Sequence, residues 1–72
     1  MIKMKEAKHC YLLSNGVSVV VGDRVELIAN NGERYIGDIY DITENSISCT
    51  LVDGTGEAGF FFRELEDVRI VK

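Results

Sequence analysis

The chain has 72 residues, of which 46% are hydrophobic, seven are glycine and none is proline, and its formal net charge is −4. That length holds one domain with a modest core, and the apolar content favours folding over disorder. No apolar run reaches the length of a membrane span. The opening Met1-Ile2-Lys3-Met4-Lys5-Glu6 lacks the apolar stretch of a secretion signal, so a cytoplasmic protein with no membrane contact is expected.

Residues 1–8 set three lysines, Lys3, Lys5 and Lys8, against Glu6. They are read as a basic amino-terminal arm that need not be ordered, and residues 9–72 as a single domain. The domain itself is acidic. Affinity for nucleic acid leans on lysine and arginine, so the balance weighs against a general nucleic-acid binder while leaving room for a local basic patch.

Turn residues cut the chain into short pieces. Ser14-Asn15-Gly16 separates Tyr11-Leu12-Leu13 from Val17–Val21, and Asn-Gly, which favours positive φ at both central positions, predicts a tight hairpin. Arg24–Ala29 alternates, with Val25, Leu27 and Ala29 on one face. Asn30-Asn31-Gly32 is a second hairpin turn, and Glu33–Ile42 a long strand ended by Thr43-Glu44-Asn45. Ser46–Val52 alternates again, with Ile47, Cys49 and Leu51 inward and Ser46, Ser48 and Thr50 outward. A period of two is a strand signal.

Asp53–Gly56 is the next turn and Ala58–Phe62 an aromatic strand. Arg63–Asp67 allows one helical turn at most, and Val68–Val71 closes the chain as a strand. Many short strands joined by tight turns predict an all-β fold: a small, strongly bent, closed SH3-like barrel of five core strands with an added amino-terminal hairpin. Gly37 interrupts the longest strand. Glycine there is read as the sharp bend that lets one strand serve both halves of the barrel, with the close approach of a ligand as the alternative.

Chemistry-bearing residues are sparse. Cys10 and Cys49 in a cytosolic domain are expected to be reduced. With His9 they make three soft ligands and no CxxC pair, short of the four of a structural zinc site, so neither metal nor cofactor is expected. Asp38 and Asp41, three apart on a strand, should point to opposite faces. No serine has a histidine network, and no glycine-rich phosphate loop opens a helix, so no enzyme is expected.

The residues Arg34-Tyr35-Ile36-Gly37-Asp38-Ile39-Tyr40, followed by Glu44-Asn45-Ser46, resemble the first motif of Sm-like proteins. They are most similar to the divergent Sm-like domains of translational repressors and decapping factors. Phe60–Val71 resembles the second motif, and also the end of Hfq-type chains. Where ring-forming members carry an aspartate and an asparagine in the turn after the bent strand, this chain keeps only Asn45. Their Arg-Gly step is here Arg63-Glu64, and their amino-terminal helix is replaced by the residue 9–21 hairpin.

The resemblance implies an RNA-associated, non-enzymatic protein that assembles into a homo-oligomer by strand-edge pairing. It also implies contacts to single-stranded RNA from Asn45 and Arg63 with an aromatic, Tyr40 or Phe61. Arg63 follows three aromatics and its fork suits a phosphate; a surface pair with Glu64, Glu66 or Asp67 is the plain alternative. In alternation Phe61 points away from Phe60 and Phe62, so one set is core and the other a platform or subunit contact. The acidic balance favours a second reading, a protein–protein adapter or structural oligomer subunit binding an extended peptide on a strand edge or aromatic groove.

Overall fold

The structure, a computed structural model, describes residues 2–7 and 11–71, with side chains at residues 2–4 and 11–71. Lys8, His9 and Cys10 lie outside the described residues, as do the side chains of Lys5 and Glu6. Strands β1 (Met4–Ala7), β2 (Tyr11–Leu13) and β3 (Ser18–Val19) form a small antiparallel sheet. Strands β4 (Arg24–Ala29), β5 (Arg34–Ile42), β6 (Ser46–Leu51), β7 (Glu57–Phe61) and β8 (Leu65–Ile70) form a second, in the order β7-β6-β5-β4-β8. One turn of 3-10 helix, Phe62–Glu64, joins β7 to β8. The fold is all-β, as expected. The last strand starts at Leu65, inside the stretch read as a helical turn.

The two hairpin turns share one geometry. Leu13 N–H donates to Val17 O (2.9 Å) and Ala29 N–H to Glu33 O (2.9 Å), while Gly16 and Gly32 donate back to Leu13 O and Ala29 O. Only the glycines take positive φ, 87° and 88°. The expectation of positive φ at both central residues is therefore corrected: these are three-residue loops with glycine in the left-handed position. Asn15 and Asn31 keep ordinary backbone angles, and each Oδ1 accepts the N–H two residues on, from Val17 and Glu33 (3.0 Å each).

Strand β5 works for two neighbours in turn. Its first half pairs with β4, from Ile28↔Arg34 to Arg24↔Asp38, and its second half with β6, from Gly37↔Leu51 to Ile42↔Ile47. Gly37 stands where the partners overlap. A Cβ there would lie 2.7 Å from Cys49 Cβ and 2.9 Å from Thr50 O. The glycine is thus required by the close approach of β6. A separate register shift between Ile39 and Asp41 inserts Tyr40 as an extra residue. That bulge overturns one expectation: Asp38 pairs with Thr50 and Asp41 with Ser48, so both aspartates share the outer face.

The core follows the alternation. Val25, Leu27, Ile39, Ile42, Ile47, Cys49, Leu65 and Val68 are buried, with Phe62 beside them. Leu13 and Val19 bring the first hairpin into the same core, and so does Ile2 at 3% exposure. The amino-terminal segment, read from sequence as an arm, is in its described part built into the fold. Ile2 N–H reaches Leu65 O (3.1 Å), Ser14 N–H donates to Lys3 O (2.7 Å), and β1 pairs with β2.

The closed barrel is not formed. Strands β7 and β8 end the sheet order and do not pair with each other. The 3-10 turn and Ile2 bridge the seam instead, with Asn30 N–H on Glu64 O (2.9 Å) and Phe62 N–H on Asn45 O (2.8 Å).

Two predictions follow from this packing. Neither the Cys49 Cβ nor the Thr50 carbonyl is the loose end of a flexible chain, so Gly37→Ala should destabilise by about 1–3 kcal/mol. A lower urea midpoint at an unchanged m-value checks this. Asp67 accepts hydrogen bonds from Asn15 and Arg69, which hold its carboxyl below the usual aspartate range. Its contribution is complete above the unfolded value of about 3.9 and is lost as pH falls through the lower folded value. Urea midpoints measured from neutral pH into acid should therefore fall less steeply for Asp67→Asn than for the parent.

Candidate functional site

Three segments far apart in sequence meet at one open hollow of about 490 Å³. The turn after β5 supplies Glu44 and Asn45, the end of β7 and the 3-10 turn supply Phe61 and Arg63, and the amino-terminal segment supplies Lys3. Ile2 and Phe62 line it from the core side. Local bonds fix each segment. Thr43 Oγ1 accepts from Asn45 N–H (3.2 Å) and Ser46 N–H (3.0 Å), which closes the first turn. Asn45 O then takes Phe62 N–H, tying that turn to the second. Glu64 Oε1 accepts Phe61 N–H (3.0 Å), bracing the start of the 3-10 turn. Lys3 is held by Ser14 through bonds in both directions.

The guanidinium of Arg63 lies over the Phe61 ring, 4.9 Å from its centroid. Phe61 is 49% exposed, so this cation–π pair faces solvent and contributes about 0.5–1 kcal/mol. Among the described residues Arg63 makes no ion pair. Of the carboxylates expected to compete for it, Glu64 is bonded to Phe61 N–H and Asp67 to Arg69 at 2.7 Å. Among the described residues the Asn45 amide also makes no side-chain hydrogen bond. The hollow therefore presents two cations, one carboxylate, one amide and one exposed aromatic ring, groups that hold an anion or a planar ring.

Of the residues expected from sequence, Asn45, Arg63 and Phe61 come together here and Tyr40 does not. Tyr40 points outward from β5, 48% exposed, with its hydroxyl donating to Glu57 Oε2 at 3.4 Å. It shares the outer face of the sheet with Phe61. A second hollow lies on the other side of Arg63, lined by Asn31, Tyr35, Phe60 and Glu64. There the Tyr35 and Phe60 rings are 5.1 Å apart and tilted by 45°. Tyr35 hydroxyl donates to Glu33, which raises the tyrosine pKa.

Other titratable groups are committed elsewhere. Arg24 grips Asp38 through two bonds, 2.9 and 3.2 Å, holding that carboxyl below its usual range. Burial pushes the Cys49 thiol up to about 11, with the charge of Asp38 adding to it. Among the described residues no group of His, Cys, Asp and Glu is placed to hold a metal ion.

Compared with protein-family models, curated proteins and solved structures, the chain matches none. No helix among the described residues is long and apolar enough to cross a membrane.

A buried thiol with a raised pKa is mostly protonated and inaccessible, so it reacts slowly. In a Cys10→Ser background, Cys49 should resist an alkylating reagent at pH 8 and label fully once denaturant is added. Mass spectrometry of the two samples reads the difference.

Proposed function

We propose that this chain is a non-enzymatic, cytoplasmic Sm-like protein, a small bent and open β-sheet fold that binds single-stranded RNA in the hollow between Asn45, Phe61 and Arg63. The observation that carries the reading is the solvent-facing stack of Arg63 on Phe61, set beside a lysine and an amide with no side-chain partner among the described residues. Single-stranded RNA is recognised by splaying a base onto an aromatic or guanidinium plane and bonding its edge. Phe61 and Arg63 offer the plane, Asn45 the donor and acceptor for a base edge, and Lys3 a cation for the neighbouring phosphate. The resemblance of residues 34–46 and 60–71 to the two Sm motifs supports the same reading, since these segments supply Asn45, Phe61 and Arg63.

The acidic surface limits the contribution of long-range attraction, so binding would depend on stacking and on the two local cations. Self-association, part of the same reading, has an edge available in β7. Antiparallel alternation turns the backbone groups of Glu57 and Gly59 away from β6, because Phe62 N–H points towards Asn45. That edge also favours the alternative, an adapter that takes an extended peptide along β7.

Fluorescence anisotropy with short uridine-rich and adenine-rich RNA tests the two. RNA binding predicts an affinity that falls with salt, and a loss of about tenfold or more in Phe61→Ala and in Arg63→Ala. Tyr40→Ala, outside the hollow, should leave affinity unchanged. No binding of the parent protein at low salt removes the RNA reading and leaves the adapter.

A further inference from the structure

The open sheet has two edges, and they are not equivalent. On β8 the alternation of antiparallel pairing is set by Val71 N–H donating to Arg24 O (2.9 Å). Counting back along the register, the backbone groups of Arg69 face β4, while those of Val68 and Ile70 face outward. Outward-facing groups of an edge strand are the usual point of attack for a second chain.

On this strand they are occupied. Val68 O accepts from Asn15 Nδ2 at 2.9 Å, and Val68 N–H donates to Asp67 Oδ1 at 3.0 Å. Asn15 Nδ2 also donates to Asp67 Oδ1 at 2.8 Å, so the two side chains lock each other over the same stretch of backbone. One end of the strand is taken as well, because Leu65 O accepts Ile2 N–H at 3.1 Å. Ile2 and Asn15 both come from the amino-terminal part of the chain, Ile2 from the segment before β1 and Asn15 from the turn between β2 and β3. Asn15 keeps its Oδ1 for Val17 N–H, so its amide divides its two ends between the turn and the β8 edge. At the far end the outward groups of Ile70 have no partner among the described residues.

The β7 edge lacks such a cover. Glu64 takes the Phe61 N–H, but the outward groups of Gly59 and Glu57 have no side-chain or backbone partner among the described residues. A free edge and a sealed edge on one sheet have a consequence for assembly. Two copies can meet symmetrically, β7 on β7, and stop there. Head-to-tail growth needs β7 of one copy to reach β8 of the next.

We propose that the amino-terminal hairpin is an intramolecular plug on β8, with Asn15 and Asp67 as its latch, which bars the β7 edge of a second copy from that strand. The plug limits the chain to a monomer or a symmetric pair, and its release converts the chain to head-to-tail assembly. This does not rest on the RNA reading.

Asn15→Asp is the cleanest probe. It retains an oxygen for Val17 N–H, removes both amide donors and sets a charge against Asp67. Multi-angle light scattering across a concentration series should find the parent no larger than a pair, and Asn15→Asp larger than a pair. Adding Ile70→Pro, which puts a proline on the free part of the β8 edge, should return the variant to the parent mass. A folded Asn15→Asp that keeps the parent mass overturns the proposal, as does a parent that is already larger than a pair. If the variant does not fold, amide exchange of the intact protein decides: Val68 should exchange much more slowly than Ile70, and equal rates overturn the plug.

Discussion

Strand β5 pairs with β4 along its first half and with β6 along its second, and the change of partner falls at residue 37. The backbone of β6 comes so close there that a side chain would strike Cys49 Cβ and the Thr50 carbonyl. Glycine costs a strand some stability through its extra freedom, and here that cost is offset by the close approach it permits. The rest depends on this contact. It sets the β6 register, which faces Ile47 and Cys49 inward, and β6 in turn sets β7, with Ile47 opposite Phe60.

From that register the hollow follows. The end of β5 delivers Asn45, the end of β7 delivers Phe61 and Arg63, and a single backbone bond, Phe62 N–H to Asn45 O, clasps the two. Arg63 then projects from a one-turn helix too short to bury it and settles on the nearest exposed ring. The bulge at Tyr40 has the opposite effect. One extra residue keeps Ile42 in the core and turns Asp41 out beside Asp38 and Tyr40, and the Tyr40 hydroxyl lies against Glu57, away from the hollow.

Because the sheet does not close, its seam has to be filled. Ile2 does so from the inside and Asn15 from the edge, and both belong to an amino-terminal segment that a five-strand fold alone would not need. A domain of this size has little core to spare, and the hairpin adds Leu13 and Val19 to it. The same bonds that complete the core cover β8, so stability and control of the edge come from one element.

Alternation along Arg24–Ala29 and Ser46–Leu51 was enough to pick out the buried Val25, Leu27, Ile47 and Cys49, because a strand has a period of two and one face must leave water, while Ala29 and Leu51 at the strand ends are only half-buried. The turn residues were enough to place the hairpins, because only glycine takes the left-handed angle cheaply. Gly37 was legible as a special position, though as a bend and not as the close approach of β6, and Phe61 and Arg63 as candidate contacts, though not which aromatic face is core. What the tertiary structure decided is whatever depends on partners distant in the chain. The parity change at Tyr40 depends on how β6 pairs. The grouping of Lys3 with Asn45 and Arg63 depends on where the amino-terminal sheet docks. The grip of Asn15 on Asp67 and Val68 spans more than fifty residues, and in sequence Asn15 is only a turn residue. Periodicity and turn chemistry are local and can be read from neighbours, whereas an edge or a hollow exists only once separate segments have been brought together.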